Sequence, residues 1–148
     1  MSISKQSVFK FTSVFSCSMF SGAALYINLV EHPARMECGT QLASTVFPGS
    51  YRRAAKMQAS LALIGCVSSI ISYHFYGASK KWLAAGLLLG SVVPFTLLAI
   101  MPTNKKLLDP KVDKDASNTH DLLTKWGKLH AVRTVTSIGA LILFLLNW

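Results

Sequence analysis

Apolar residues in this chain gather into four long runs, 11–30, 57–76, 82–101 and 129–148, separated by charged or proline-bearing segments. A helix rises 1.5 Å per residue, so about 20 apolar residues cross the roughly 30 Å hydrocarbon core of a bilayer. Lys10, Lys80, Lys81 and Lys128 stand at run ends, and Arg133 alone among Lys, Arg, Asp and Glu lies inside a run. The pattern predicts an all-α fold: a four-transmembrane-helix bundle forming a single domain, 1–148, with two longer connections on the same side. Those connections are 31–56 and 102–128, and a short one at 77–81 makes an antiparallel hairpin of the second and third helices. The first run exceeds the usual apolar length of a signal peptide, about 7 to 15 residues, and is read as a retained helix.

Proline and small residues refine this reading. Pro33 removes a backbone donor and disfavours helix at His32, so the first helix is expected to stop or kink there. Pro48-Gly49 reads as a turn in the first connection. Ser60, Ala62, Gly65, Ser68, Ser69 and Ser72 put small residues through the second helix and predict a central place in the bundle. Gly86 and Gly90 form a small-xxx-small pattern in the third. It reads as bundle packing, with a homo-oligomer as the alternative. Pro94 predicts a local kink.

Composition agrees with a membrane address. The chain is 51% hydrophobic and 14% charged, too few charges for an ordinary soluble surface. The formal net charge of +9 would raise nucleic acid as a partner in a soluble protein. Here the cations sit in the connections, where membrane proteins carry them, and no nucleic-acid partner is expected. Arg35, Arg52, Arg53, Lys56, Lys105, Lys106, Lys111, Lys114, Lys125 and Lys128 lie on the side of the long connections, against Lys5, Lys10, Lys80 and Lys81 opposite. The positive-inside rule then puts both termini on the non-cytosolic side. Cys17, Cys38 and Cys66 lack a C-x-x-C spacing, which argues against a disulfide framework or a thiol redox enzyme.

The polar residues at membrane depth carry the chemistry. Trp126, His130 and Arg133 share one helical face at the start of the fourth run. Four spans bring the end of the first helix to the same mouth, so Asn28, Glu31, His32, Tyr51, Arg52 and Asn104 can converge on that face. Polar groups at this depth are costly and are functional candidates. The bland readings are an interfacial Trp126, a snorkelling His130 and Arg133, and a Glu31–Arg133 pair that only joins two helices. A metal site of His32, His130 and Glu31 is conceivable on donor type. No tight ligand spacing supports it, and no metal is expected.

The order E-H-P-A-R after the first span, Y-R-R-A-A-K-M-Q-A into the second, P-F-T-L-L-A-I-M-P-T-N-K-K-L at the third and W-G-K-L-H-A-V-R at the fourth resembles the anthrone oxygenase-like membrane family. The P-T-N and W-x-x-L-H-x-x-R elements are the most specific parts. The resemblance implies a monooxygenase that oxidises an anthrone-type phenolic to a quinone with O2 as co-substrate and without a bound cofactor. On that reading His130, then His32, serves as base. Arg133 and Asn104 hold the oxyanion. Trp126 or Tyr51 stacks on the flat substrate, with Asn28, Glu31 and Arg52 completing the binding set. The expected partners are membrane lipid and a lipophilic small molecule. The alternative is a non-catalytic four-helix membrane protein whose polar mouth is structural or binds lipid or a partner; a transporter is third.

Overall fold

The computed structural model describes residues 4–148, so residues 1–3 of the polar lead lie outside it. The described residues form seven α-helices and two π-helical segments. In chain order these are α1 (Lys5–Tyr26), a π segment (Ile27–Glu31), α2 (His32–Glu37), α3 (Thr40–Tyr76), α4 (Lys80–Gly90), α5 (Val92–Phe95), a second π segment (Thr96–Ile100), α6 (Met101–Leu107) and α7 (Ser117–Leu145). They join end to end into four rods, Lys5–Glu37, Thr40–Tyr76, Lys80–Leu107 and Ser117–Leu145, each long and apolar enough to cross a membrane. The chain is an integral membrane protein of the all-α class.

The rods are longer than the apolar runs from which they were predicted. α3 alone has 37 residues, about 55 Å at the α-helical rise, against a hydrocarbon core of about 30 Å. Much of both longer connections is therefore helix. The first rod does not stop at Pro33 but continues to Glu37, because the π segment hands over to α2 with Pro33 in its first turn, where the missing N–H is least costly. Its reversal comes at Cys38 and Gly39, where Gly39 adopts φ 89°. Pro48, expected in a turn, lies inside α3. The second connection contracts to residues 108–116, and the Ser44 hydroxyl donates to the Lys114 carbonyl there, so both connections meet at one end of the bundle. The third rod is interrupted at Ser91, between α4 and α5, three residues before Pro94.

The third rod repeats the device of the first: a π segment, one residue, then proline at position 102. This correspondence between the halves is visible in backbone geometry where no residue-level repeat is.

Packing is inverted relative to a soluble protein. Ser13, Ser16, Ser68, Ser69, Ser72 and Ser137 are buried, while Phe11, Phe15, Leu63, Val67, Leu98 and Val135 are exposed on the outer faces. Small inward residues let the helices approach: a Cβ at Gly86 would collide with Ser69, and one at Gly90 with the Cys66 thiol. The glycine pair of the third rod therefore packs α4 on α3. Two apolar clusters result, one around Cys17, Phe20, Trp82, Leu89 and Phe144, the other around Ile27, Phe47, Ile100, Leu107, Leu123 and Trp126. Between them lies a polar layer containing Asn28, Gln58, His130 and Arg133.

Candidate functional site

Helical phase positions this layer. On α7, Trp126, His130, Arg133, Thr134 and Ser137 are all buried, so the face bearing the indole, imidazole and guanidinium points into the bundle rather than to headgroups. On α3, Tyr51 and Gln58 stand seven residues apart on the inner face, and Gln58 is 1% exposed. The Arg133 Nη2 donates to Gln58 Oε1 at 2.6 Å, and its guanidinium lies 5.4 Å from the centre of the Phe20 ring. The Glu31–Arg133 pair of the bland reading does not form. Glu31 instead forms an ion pair with Arg35 Nη2 at 3.3 Å, one turn along the same rod, and accepts from the Ser50 hydroxyl at 2.6 Å. Arg133 has no carboxylate partner among the described residues.

Two cavities meet at Arg133. The first is narrow, with room for about one water, and is bounded by Arg35, Tyr51, Gln58, Trp126, His130 and Arg133 among others. The second, about 560 Å³, is mostly apolar, with Phe20, Val92, Val93, Thr96, Leu97 and Met101 in its wall. Tyr51, Ala55, Gln58 and Arg133 line both. The apolar cavity has a floor of buried Phe20, Val92 and Gln58 and a rim carrying exposed Leu97, between the second and third rods on the lipid-facing side. The second π segment supplies Thr96 and Leu97 to that rim. Such wide turns recur at functional positions in helices.

The first cavity is rich in donors. Arg133 Nε, Gln58 Nε2, Trp126 Nε1 and Arg35 Nε are all buried without an acceptor. A buried donor left unpaired costs about 1–3 kcal/mol, so this lining suits a ligand bearing oxygen acceptors or a negative charge. Aromatic groups brace it. Trp126 stacks on His130 with ring centres 4.9 Å apart at 29°, meets Phe47 edge-on at 5.2 Å, and Phe47 stacks on Tyr51 at 5.7 Å.

Several expected site residues stand one step back from the cavities. His32 is buried against the far side of Trp126, ring centres 5.2 Å apart, and lines neither of the two cavities. Asn104 is fully buried and donates to the Tyr51 hydroxyl at 2.9 Å, so it supports Tyr51 instead of facing the cavity. Asn28 has its amide engaged by Gly127, His130 and Thr134. Arg52 is exposed on the outer face of α3 and does not join the site: it follows the inward Tyr51 by about 100° of helical rotation. Glu31, Tyr51, Trp126, His130 and Arg133 do line the first cavity. Arg35, Phe47, Gln58 and Thr134 were not anticipated as site residues. Arg35 stands four residues after Glu31, a helical ion-pair spacing, once the first rod is known to continue past Pro33. Among the described residues no group of three or more His, Cys, Asp or Glu is placed to hold a metal ion.

The sequence pattern of the anthrone oxygenase family matches residues 47–143, which carry Tyr51, Gln58, Asn104, Trp126, His130 and Arg133. The chain belongs to the anthrone oxygenase family. It is 29% identical over 133 residues to anthrone oxygenase tpcL of Aspergillus fumigatus, covering 84% of this chain and 83% of that protein. It is also 29% identical over 138 residues to an anthrone oxygenase of Claviceps purpurea, covering 86% of this chain and 78% of that protein. No solved structure matches the chain. Anthrone oxygenase membership gives the chain an oxygenase-like character, and it gives the buried imidazole and guanidinium of α7 a reaction class against which to read them.

Proposed function

We propose that the chain oxidises a flat, lipophilic anthrone-type phenolic to the corresponding quinone with molecular oxygen. The observation that carries this reading is a buried histidine and a buried arginine without a counter-ion sharing one donor-rich cavity, with the same arginine in the wall of an adjoining apolar cavity of about 560 Å³. Apolar rings take the wider cavity, entering from the lipid side past Leu97, and the central ring lies along the Tyr51–Gln58–Arg133 wall shared with the first cavity, so that its carbonyl meets Arg133 and the carbon opposite turns towards His130.

In the reaction so proposed, His130 removes one of the two hydrogens on the ring carbon opposite the carbonyl. The negative charge moves to the carbonyl oxygen, where the Arg133 and Gln58 donors stabilise it, a contribution of about 10²–10³ in rate for one such donor. The electron-rich ring carbon then forms a C–O bond to oxygen, and the peroxide takes back the proton held by His130. Cleavage of the O–O bond with loss of the second ring hydrogen releases water and leaves the quinone carbonyl. Substrate and oxygen supply all the electrons, so the sequence balances with no external reductant. The preponderance of Lys and Arg at the cavity end supports a cytosolic mouth with both termini opposite.

The test is oxygen uptake by detergent-purified protein given an anthrone under metal chelation, corrected for spontaneous oxidation and compared with His130→Ala. Quinone formation at one oxygen per product, lost in the variant, is the expected result. Uptake no faster than the spontaneous rate with several anthrones would overturn the proposal.

A further inference from the structure

The hydrogen bonds around Asn28 assign a proton within the site. Its Nδ2 donates to the Gly127 carbonyl at 3.1 Å. A carbonyl accepts only, so this contact fixes which end of the amide is which; the flipped amide would set two oxygens against each other. Asn28 Oδ1 therefore faces the other way, towards His130 Nδ1 at 2.8 Å and the Thr134 hydroxyl. The Thr134 hydroxyl also has the Ala24 carbonyl at 3.2 Å and that of His130 at 3.4 Å. An amide oxygen carries no proton, so both the hydroxyl and the ring nitrogen must donate to it.

We infer that Asn28 is a positioning residue that holds neutral His130 as the tautomer protonated on Nδ1, leaving the Nε2 lone pair as the base. The arrangement has the logic of a catalytic triad: the base is oriented and its tautomer chosen by a third group that never touches substrate. Backbone geometry makes it possible. Asn28 sits in the first π segment, and Gly127, lacking a Cβ, lets the first rod approach α7 closely enough for the amide to reach the Gly127 carbonyl. His130 Nδ1 is thereby occupied on the side of the first rod, while the ring lines the cavity shared with Gln58 and Arg133. The catalytic half of this assignment rests on the oxygenase reading, whereas the tautomer does not.

The test reads the tautomer directly. Protein labelled with ¹⁵N in its histidine rings gives distinct nitrogen shifts for the two neutral forms, and the His130 signals are those missing from His130→Gln. The wild-type ring is expected to be protonated on Nδ1. Asn28→Leu, which removes the acceptor, is expected to shift it to the Nε2-protonated form and to lower kcat by about 10²–10⁴-fold with KM changed only a few-fold, as a wrong tautomer does. Asn28→Asp keeps an acceptor for His130 but sets its second oxygen against the Gly127 carbonyl, so it should keep Nδ1 protonated and recover only part of the rate. A wild-type ring protonated on Nε2 overturns the assignment whether or not an Asn28 variant folds. So does an Asn28→Leu protein that folds with the tautomer unchanged. A tautomer that moves as expected in protein that oxidises no anthrone leaves the positioning intact and refutes the oxygenase reading instead.

Discussion

Gly127→Ala probes the geometry most sharply, because one added methyl strikes one neighbour. A Cβ at position 127 would lie 2.5 Å from His32 Nε2 and 2.7 Å from its Cδ2. Non-bonded heavy atoms rest about 3.5–4.0 Å apart, so something must yield by about 1 Å. His32 packs against Trp126, ring centres 5.2 Å apart, and Trp126 in turn stacks on His130. Either the indole moves and carries the imidazole with it, or the first rod moves away from α7 and stretches the 3.1 Å Asn28–Gly127 bond beyond hydrogen-bonding range. Stability should change little, since overpacking costs about 1–3 kcal/mol and replacing a helical glycine by alanine returns about 1 kcal/mol. Catalysis should change much more, because a 1 Å misplacement costs about 10²-fold in rate. Anthrone-dependent oxygen uptake and thermal unfolding in the same detergent measure the two effects. A variant that turns over within threefold of wild type would refute the claim that this helix contact sets the position of His130.

Two further outcomes follow from the cavities. Arg133→Met should lower turnover about 10²–10³-fold. Its unfolding temperature should move little, because removing an unpaired buried cation offsets leaving Gln58 Oε1 without its donor; a large drop would mean that Arg133 serves mainly to hold the bundle together. Ala59→Phe fills the apolar cavity and should reduce kcat/KM at least about tenfold while the protein stays folded, as read by oxygen uptake across a substrate series. Unchanged kinetics there would move the substrate out of that cavity.

Helical phase explains what the sequence disclosed and what it withheld. His130 and Arg133 stood out because polar residues inside an apolar run are costly, and their inward direction follows from the α7 face they share with Trp126. Tyr51 and Gln58 were on one face by spacing alone. The first connection was obscured by Pro33 and Pro48, each a local signal for ending a helix that the backbone overrode. A π segment absorbs Pro33, and only then do Glu31 and Arg35 fall on successive turns facing Phe47 and Trp126. Once 40–76 is a single helix, the outward direction of Arg52 is fixed by its neighbour Tyr51. Asn28 was legible only as a polar residue able to bridge helices, and the roles of His32 and Asn104 were not legible at all. They depend on which partner across the bundle uses each polar atom, and sequence spacing does not carry that information.

The bond between Asn28 and His130 joins residues 102 positions apart, on the first rod and the last. A ribosome adding about 5–20 residues each second completes the first three rods well before α7 emerges. Until then the growing chain holds the apolar walls of the wider cavity but neither the base nor the guanidinium. When α7 arrives, Arg133 and His130 enter the bilayer beside Gln58 and Asn28 already in place, so their insertion and their pairing are one event. On the proposed reading, reactivity towards oxygen is thereby deferred to the final act of assembly, and a chain truncated before α7 should oxidise no anthrone.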